Sequence, residues 1–268
     1  MSCDGRARVA ASPDVLRAGV LDGAGAVVTG AGSGIGRAIA LRLAGLGASV
    51  VGLGRRETPL AETAALHTGT NPMHWRACDV RDCDAVGEAM RWAAEQAPLR
   101  VLVNNAGGQF VAPAADITPN GWRGVVDLDL NAVFYACRAA YPYLRGHGGS
   151  IVNISLSGVE RGIRGIAHSV AARAGVVGLT RTLALEWAPD RIRVNCLGPG
   201  TVATEALGRY EPAVVAGLLD TVPFGRLTAP PEVAEFVAFL ASPAAELITG
   251  QLLHIDGAAH LGPGVHMI

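Results

Sequence analysis

Short apolar runs alternate along this chain with longer segments whose apolar positions recur every three or four residues, the spacings of buried strand and amphipathic helix. The runs fall at 24–29, 48–53, 73–77, 100–104, 150–155, 191–197 and 252–255. Helical patterns occupy 35–46, 58–66, 84–96, 121–144 and 168–187, with two shorter ones near 211–219 and 231–240. Regular alternation implies right-handed crossovers and a parallel sheet. The expected fold is therefore α/β: a single-domain, Rossmann-type, doubly wound parallel sheet of about seven strands with helices on both faces. Residues 1–20 are expected to form an N-terminal arm and 21–268 the domain, with a lid near 198–225 that begins past the end of the sixth strand.

The first strand runs into Thr29-Gly30-Ala31-Gly32-Ser33-Gly34-Ile35-Gly36, which opens the first helix. Glycines there let backbone N–H groups and a helix N-terminus approach a pyrophosphate, so Gly30, Ser33, Gly34 and Ile35 are assigned to a dinucleotide. The second strand ends at Leu53-Gly54-Arg55-Arg56, where an NAD site would place an acid for the ribose 2′-hydroxyl. Arg55 and Arg56, supported by Arg37, suit a 2′-phosphate instead, so the expected cofactor is NADP(H). Asp79 and Val80 follow the third strand and are expected at the adenine; Asn105, Ala106 and Gly107 follow the fourth.

Composition narrows the partners. In 268 residues, 50% are hydrophobic and 17% charged, and the formal net charge is −1, which gives no electrostatic basis for binding nucleic acid or an anionic membrane. No run reaches the roughly 18 apolar residues of a membrane span, and the expected partner is a small-molecule substrate. Five cysteines, with no CxxC pair, fit a reducing, cytoplasmic setting better than a disulfide framework. No metal-ligand spacing stands out.

Within 167–181, Ser169 and Arg173 lie four apart and share a helix face, with His168 beside them. Arginine holds a permanent cation and a fork of donors but does not pass protons. His168 titrates near neutrality and could donate a proton. Tyr210, on the expected lid, could bring a phenol to a closed state, and Thr201 and Thr204 could touch a nicotinamide amide.

Together these motifs resemble the short-chain dehydrogenase/reductase family: the glycine turn, Asn104-Asn105-Ala106-Gly107, Pro199-Gly200, Ile248-Thr249-Gly250-Gln251 and Asp256-Gly257, in unbroken order. The resemblance implies catalytic Asn, Ser, Tyr and Lys positions. Asn131 matches the asparagine, Leu156 falls at the serine between Ser155 and Ser157, Ser169 at the tyrosine and Arg173 at the lysine. The strings around Gly108-Gln109-Phe110 and His168-Ser169 look most like the peroxisomal trans-2-enoyl-CoA reductase-like group. The resemblance further implies a nicotinamide site that includes Arg173, Pro199, Gly200 and Val202, and a homo-oligomer, dimer or tetramer, built on helices 121–144 and 168–187.

A seryl hydroxyl is far less acidic and shorter than a phenol, so chemistry needing no strong acid fits better. The leading expectation is NADPH-dependent reduction of an activated C=C or C=N bond, with Asn131, Ser157, His168, Ser169 and Arg173 in the catalytic set. An alcohol/ketone dehydrogenase with a relocated acid is the second reading, and a non-redox cofactor-binding member the third.

Overall fold

The computed structural model describes residues 16–209 and 211–262. Seven strands, β1 (Gly25–Thr29), β2 (Ser49–Gly54), β3 (Met73–Ala77), β4 (Leu99–Asn104), β5 (Gly149–Ile154), β6 (Ile192–Pro199) and β7 (Leu252–Ile255), form one sheet in the order β3-β2-β1-β4-β5-β6-β7. Every neighbouring pair is parallel. The order reverses between β1 and β4, and beyond the carboxyl ends of strands at such a switch point open α/β sheets bind ligands. The inner strands are buried along nearly their whole length, whereas β3 and β7, at the sheet edges, are half-buried.

The helices cover both faces. On one, α1 (Gly34–Gly45) packs against α8 (Pro230–Ala241), and Ile39, Leu43, Val233, Val237 and Leu240 join the sheet in one apolar cluster. An ion pair from Arg42 Nε to Glu235, 2.6 Å, ties the two helices across their polar edge. On the other face lie α3 (Cys83–Gln96), α5 (Ala132–Leu144) and α6 (Ala167–Glu186), contributing Met90, Cys137, Leu144, Val176 and Leu183. Each fully buried side chain of this size stabilises the fold by about 1.5–3 kcal/mol, so these two layers hold the sheet whose ends carry the site. Helix α2 (Glu57–Ala65) packs on β2 and β3, and α7 (Pro212–Asp220) follows the segment beyond β6.

Three local expectations change. The single helix expected over 121–144 is α4 (Pro119–Val126), a π-helical turn (Asp127–Asn131) and α5 in succession. A π turn inserts one residue into the helical ladder, so side chains beyond it face directions that a straight 3.6-residue period does not give. Strand β6 runs on to Pro199, pairing Gly198 with His254 and Pro199 with Ile255, so the irregular segment begins later than expected. Within the expected arm, Leu16 and Val20 pack on the core, and the Leu21 N–H, the first of the domain, bonds Leu46 O at 3.0 Å; residues 1–15 lie outside the described part.

Candidate active site

The glycine turn is built from contacts that leave no room for side chains. A Cβ at Gly36 would stand 2.2 Å from the Gly30 carbonyl oxygen, and Gly30 itself holds φ +70°. Ser33 sits at the N-cap of α1 without a side-chain capping bond, which leaves the first-turn amides available to an anion. Asn105 fixes the turn to β4: its Nδ2 donates to Thr29 O at 2.9 Å, while Thr29 Oγ1 accepts the N–H groups of Asn105 and Ala106, both at 2.9 Å. Asn104, one residue earlier, points the other way and donates to Asn153, which donates in turn to Thr180, locking β4, β5 and α6.

Arg55 and Arg56 are exposed at the end of β2. Asp79 is bound by Arg81, whose bonding, with Arg55 contributing, holds the carboxyl below the usual carboxylate range. Val80 is buried beside them. Arg37, assigned above as a support for Arg55, is engaged elsewhere: it donates to Gly32 O at 2.7 Å and Thr63 Oγ1 at 3.1 Å and pairs with Glu62. It braces the turn from outside. Past β6, Val202 is buried and bridges to Thr228, and Thr204 lies over the turn, 3.2 Å from where a Gly34 Cβ would be.

On the reaction side the structure joins Ser169 and Arg173 to an acid that sequence reasoning missed. Asp129, in the π turn, is buried, and its Oδ2 accepts from Ser169 Oγ at 3.1 Å and pairs with Arg173 Nε at 3.1 Å; its Oδ1 accepts the Gly108 N–H at 2.8 Å. Arg173 also reaches Ser169 Oγ at 3.3 Å and the carbonyls of Ile154 and Ser155 at 3.0 and 3.3 Å. Its Nη2 lies against Gly107, where a Cβ would stand at 2.5 Å, so the glycine there makes room for the guanidinium. Asn131 instead turns back to Asp127, donating at 2.8 Å. The available signal was an acid bracketed by Leu128 and Leu130 in an apolar helix, since a buried charge requires a partner.

Ser169 is 0% exposed, as is His168. The His168 ring meets Phe110 edge-on with centroids 4.3 Å apart; its Nδ1 accepts the Ser169 N–H at 2.9 Å, and its Nε2 has no partner among the described residues. Ser157 is buried, its N–H bonded to Pro199 O at 3.0 Å. Leu156 and Ile163 converge on Gly158. Tyr210 lies outside the described residues. Burial pushes the thiols of Cys137 and Cys196 up to about 12, which removes them as nucleophiles.

The family model described as enoyl-(acyl carrier protein) reductase matches residues 30–260. The chain belongs to the short-chain dehydrogenase/reductase family. It is an oxidoreductase acting on small molecules, of a family that binds NAD(P). It is 37% identical over 246 residues to a Bacillus subtilis protein named as a 2,4-dienoyl-CoA reductase, covering 88% of this chain and 96% of that one. Galactitol 2-dehydrogenase (L-tagatose-forming) of Cereibacter sphaeroides is 40% identical over 242 residues, with 88% of this chain and 95% of that one covered. Among solved structures, the citronellol catabolism dehydrogenase AtuB of Pseudomonas aeruginosa superposes with a TM-score of 0.82 at 38% identity, covering 92% of this chain and 98% of that one. No helix among the described residues is long and apolar enough to cross a membrane.

Proposed function

We propose that this short-chain dehydrogenase/reductase is an NADPH-dependent reductase of an activated double bond, an enoyl thioester, an enone or an imine. The observation that carries the reading is the state of Ser169, fully buried, donating to Asp129 and accepting from Arg173. Such a hydroxyl is unavailable to protonate a developing alkoxide. When bound, NADPH supplies the hydride. The open amides of α1 and the exposed Arg55 and Arg56 suit its pyrophosphate and 2′-phosphate, Asp79 and Val80 its adenine side, and Pro199, Gly200 and Val202 the nicotinamide end.

In this reading Asp129 and Arg173 form a neutral, rigid floor, and Arg173 Nη2, beside Gly107, positions the cofactor. The residues would have to supply one proton, to the α-carbon of an enoyl thioester or enone or to the nitrogen of an imine, to complete the reduction. His168 Nε2, unpartnered among the described residues, and Ser157 are the groups assigned to deliver it. Apolar Leu156 and Ile163 about Gly158, and Phe110 against His168, suit an acyl or alicyclic substrate, and the relative named as a 2,4-dienoyl-CoA reductase supports the enoyl class. Exposed Trp122, Phe134 and Leu185 on α4, α5 and α6 support a homo-oligomer through these helices.

The test is nicotinamide absorbance with NADPH and a panel of 2-enoyl-CoA, enone and imine acceptors. Turnover is expected, and Ser169→Ala should keep it within about tenfold, since loss of a true general acid costs about 10²–10⁴-fold. Turnover of ketones alone overturns the reading and favours an alcohol/ketone dehydrogenase with a relocated acid. The unpartnered His168 Nε2 is what that second reading rests on, and His168→Gln would then abolish activity.

A further inference from the structure

At the edge of the sheet, His254 on β7, Asp256 just past its end and His260 in the 3-10 turn Ala259–Leu261 bring three ligand-type atoms within 4.8 Å of one another. Asp256 is buried, and its carboxylate is already fixed by the N–H groups of Ala258 and His260, at 3.1 and 2.6 Å. Its Oδ2 lies 3.0 Å from His260 Nδ1. The His254 ring stacks on that of His260, centroids 4.1 Å apart and planes 7° from parallel. Its Nδ1 is buried without a partner among the described residues, and its Nε2 is 3.7 Å from Glu160 Oε2.

We propose that His254, through Nε2, Asp256 and His260 form a binding site for a divalent transition-metal ion, with Zn²⁺ the fitting size and softness and Glu160, beside the same Nε2, placed to close the fourth side. Two imidazoles and a carboxylate are a common zinc donor set. At metal–ligand distances of about 2.0–2.2 Å, tetrahedral donors stand roughly 3.3 Å apart. The Asp256–His260 pair, at 3.0 Å, is close to that separation, so the ion takes the place of the hydrogen between them while the neutral imidazole of His260 carries its proton on Nε2. His254 closes the remaining gap by opening the ring stack, a side-chain rotation on a half-buried edge strand.

Such an ion would brace the base of the lid. Gly257, next to Asp256, packs against Val222 and Phe224; Thr228 Oγ1 donates to Ile255 O at 3.1 Å; and a Cβ on Gly200 would lie 2.8 Å from Asp256 Cβ. Through Glu160 the same ion would also hold the segment between β5 and α6. The role is structural, and metal binding is measured separately from which bond the enzyme reduces.

The experiment uses the full chain without an affinity tag, treated with chelator, dialysed and titrated with Zn²⁺ by calorimetry in two buffers of different ionisation enthalpy, and with Co²⁺ followed by visible absorption. One equivalent should bind, give a tetrahedral Co²⁺ spectrum and raise the thermal midpoint. His254→Gln and His260→Gln should each weaken binding about tenfold or more, whereas His74→Gln, on β3 at the opposite edge of the sheet, should not. Absence of binding by a natively folded chain overturns the proposal, and so does binding that survives both substitutions or is lost equally with His74→Gln.

Discussion

Around the glycine turn, the first-turn amides of α1 have no capping side chain and the arginines at the end of β2 face solvent. At the carboxyl end of β5, barely a strand's width from the switch point, Asp129, Ser169 and Arg173 bond to one another and to the backbone. One side keeps its donors free for an anionic ligand; the other has already satisfied its charges. The difference teaches that open amides and exposed arginines leave one region able to take an anion, while Asp129 and Arg173 in the other are a buried ion pair.

The ion pair offers the largest way to break this contrast. A buried charge left alone costs about 3–5 kcal/mol, so Asp129→Leu or Arg173→Met should each lower stability by that amount in denaturant unfolding. The double variant should recover much of the loss, because both charges go together. Additive losses would show that the two residues do not act as a pair.

A second break lies on the binding side. Gly36→Ala forces a Cβ to 2.2 Å from Gly30 O, a backbone atom that has no flexible end to move. Overpacking of this kind costs about 1–3 kcal/mol, and dinucleotide affinity should fall with it. The quenching of intrinsic fluorescence by NADPH measures the affinity and thermal unfolding the stability.

Arg55→Ala sharpens the comparison by probing a free donor. A hydrogen bond to a charged group is worth about 1.5–3 kcal/mol, so the Kd for NADPH should rise by roughly ten- to a hundredfold while that for NADH stays unchanged. Equal losses for both would remove the 2′-phosphate assignment.

The smallest effect concerns the support of α8. Glu232 pairs with Arg226 at 2.7 Å and caps the helix through Ala229 N–H at 2.8 Å; the Arg226 bonding holds its carboxyl below the ordinary 4.5. A lowered folded-state pKa gives stability that is full above the unfolded value and lost as pH falls below about 4.5. For this partly exposed pair the contribution is about 0.2–1 kcal/mol. Glu232→Gln should remove it at neutral pH and flatten stability against pH in the acid range.

The strand and helix periods gave the sheet and both helix layers because alternating buried runs and amphipathic segments leave few ways to cover a parallel sheet. The glycine turn was legible for a related reason: backbone approach to a ligand demands glycine at fixed positions. Asp129 shows where local patterns stop short. In Asp127-Leu128-Asp129-Leu130-Asn131 the inward residue is chosen by a π turn, and no local period announces an inserted residue. Arg37 fails differently, since its spacing fits a phosphate role while Thr63 and Glu62, brought near by α2, claim its donors.

By itself the sequence determined the order of elements, the doubly wound topology, the glycine turn and the placing of Ser169 and Arg173 on one helix face. Only the tertiary structure decided that Asp129 is their partner, that Gly107 makes room for the guanidinium, and that His254, Asp256 and His260 meet at one edge. The physical reason is range. Patterns of burial and backbone strain are written over a few residues, whereas charge pairing in a low-dielectric interior depends on which distant side chains the packed sheet brings within about 3 Å.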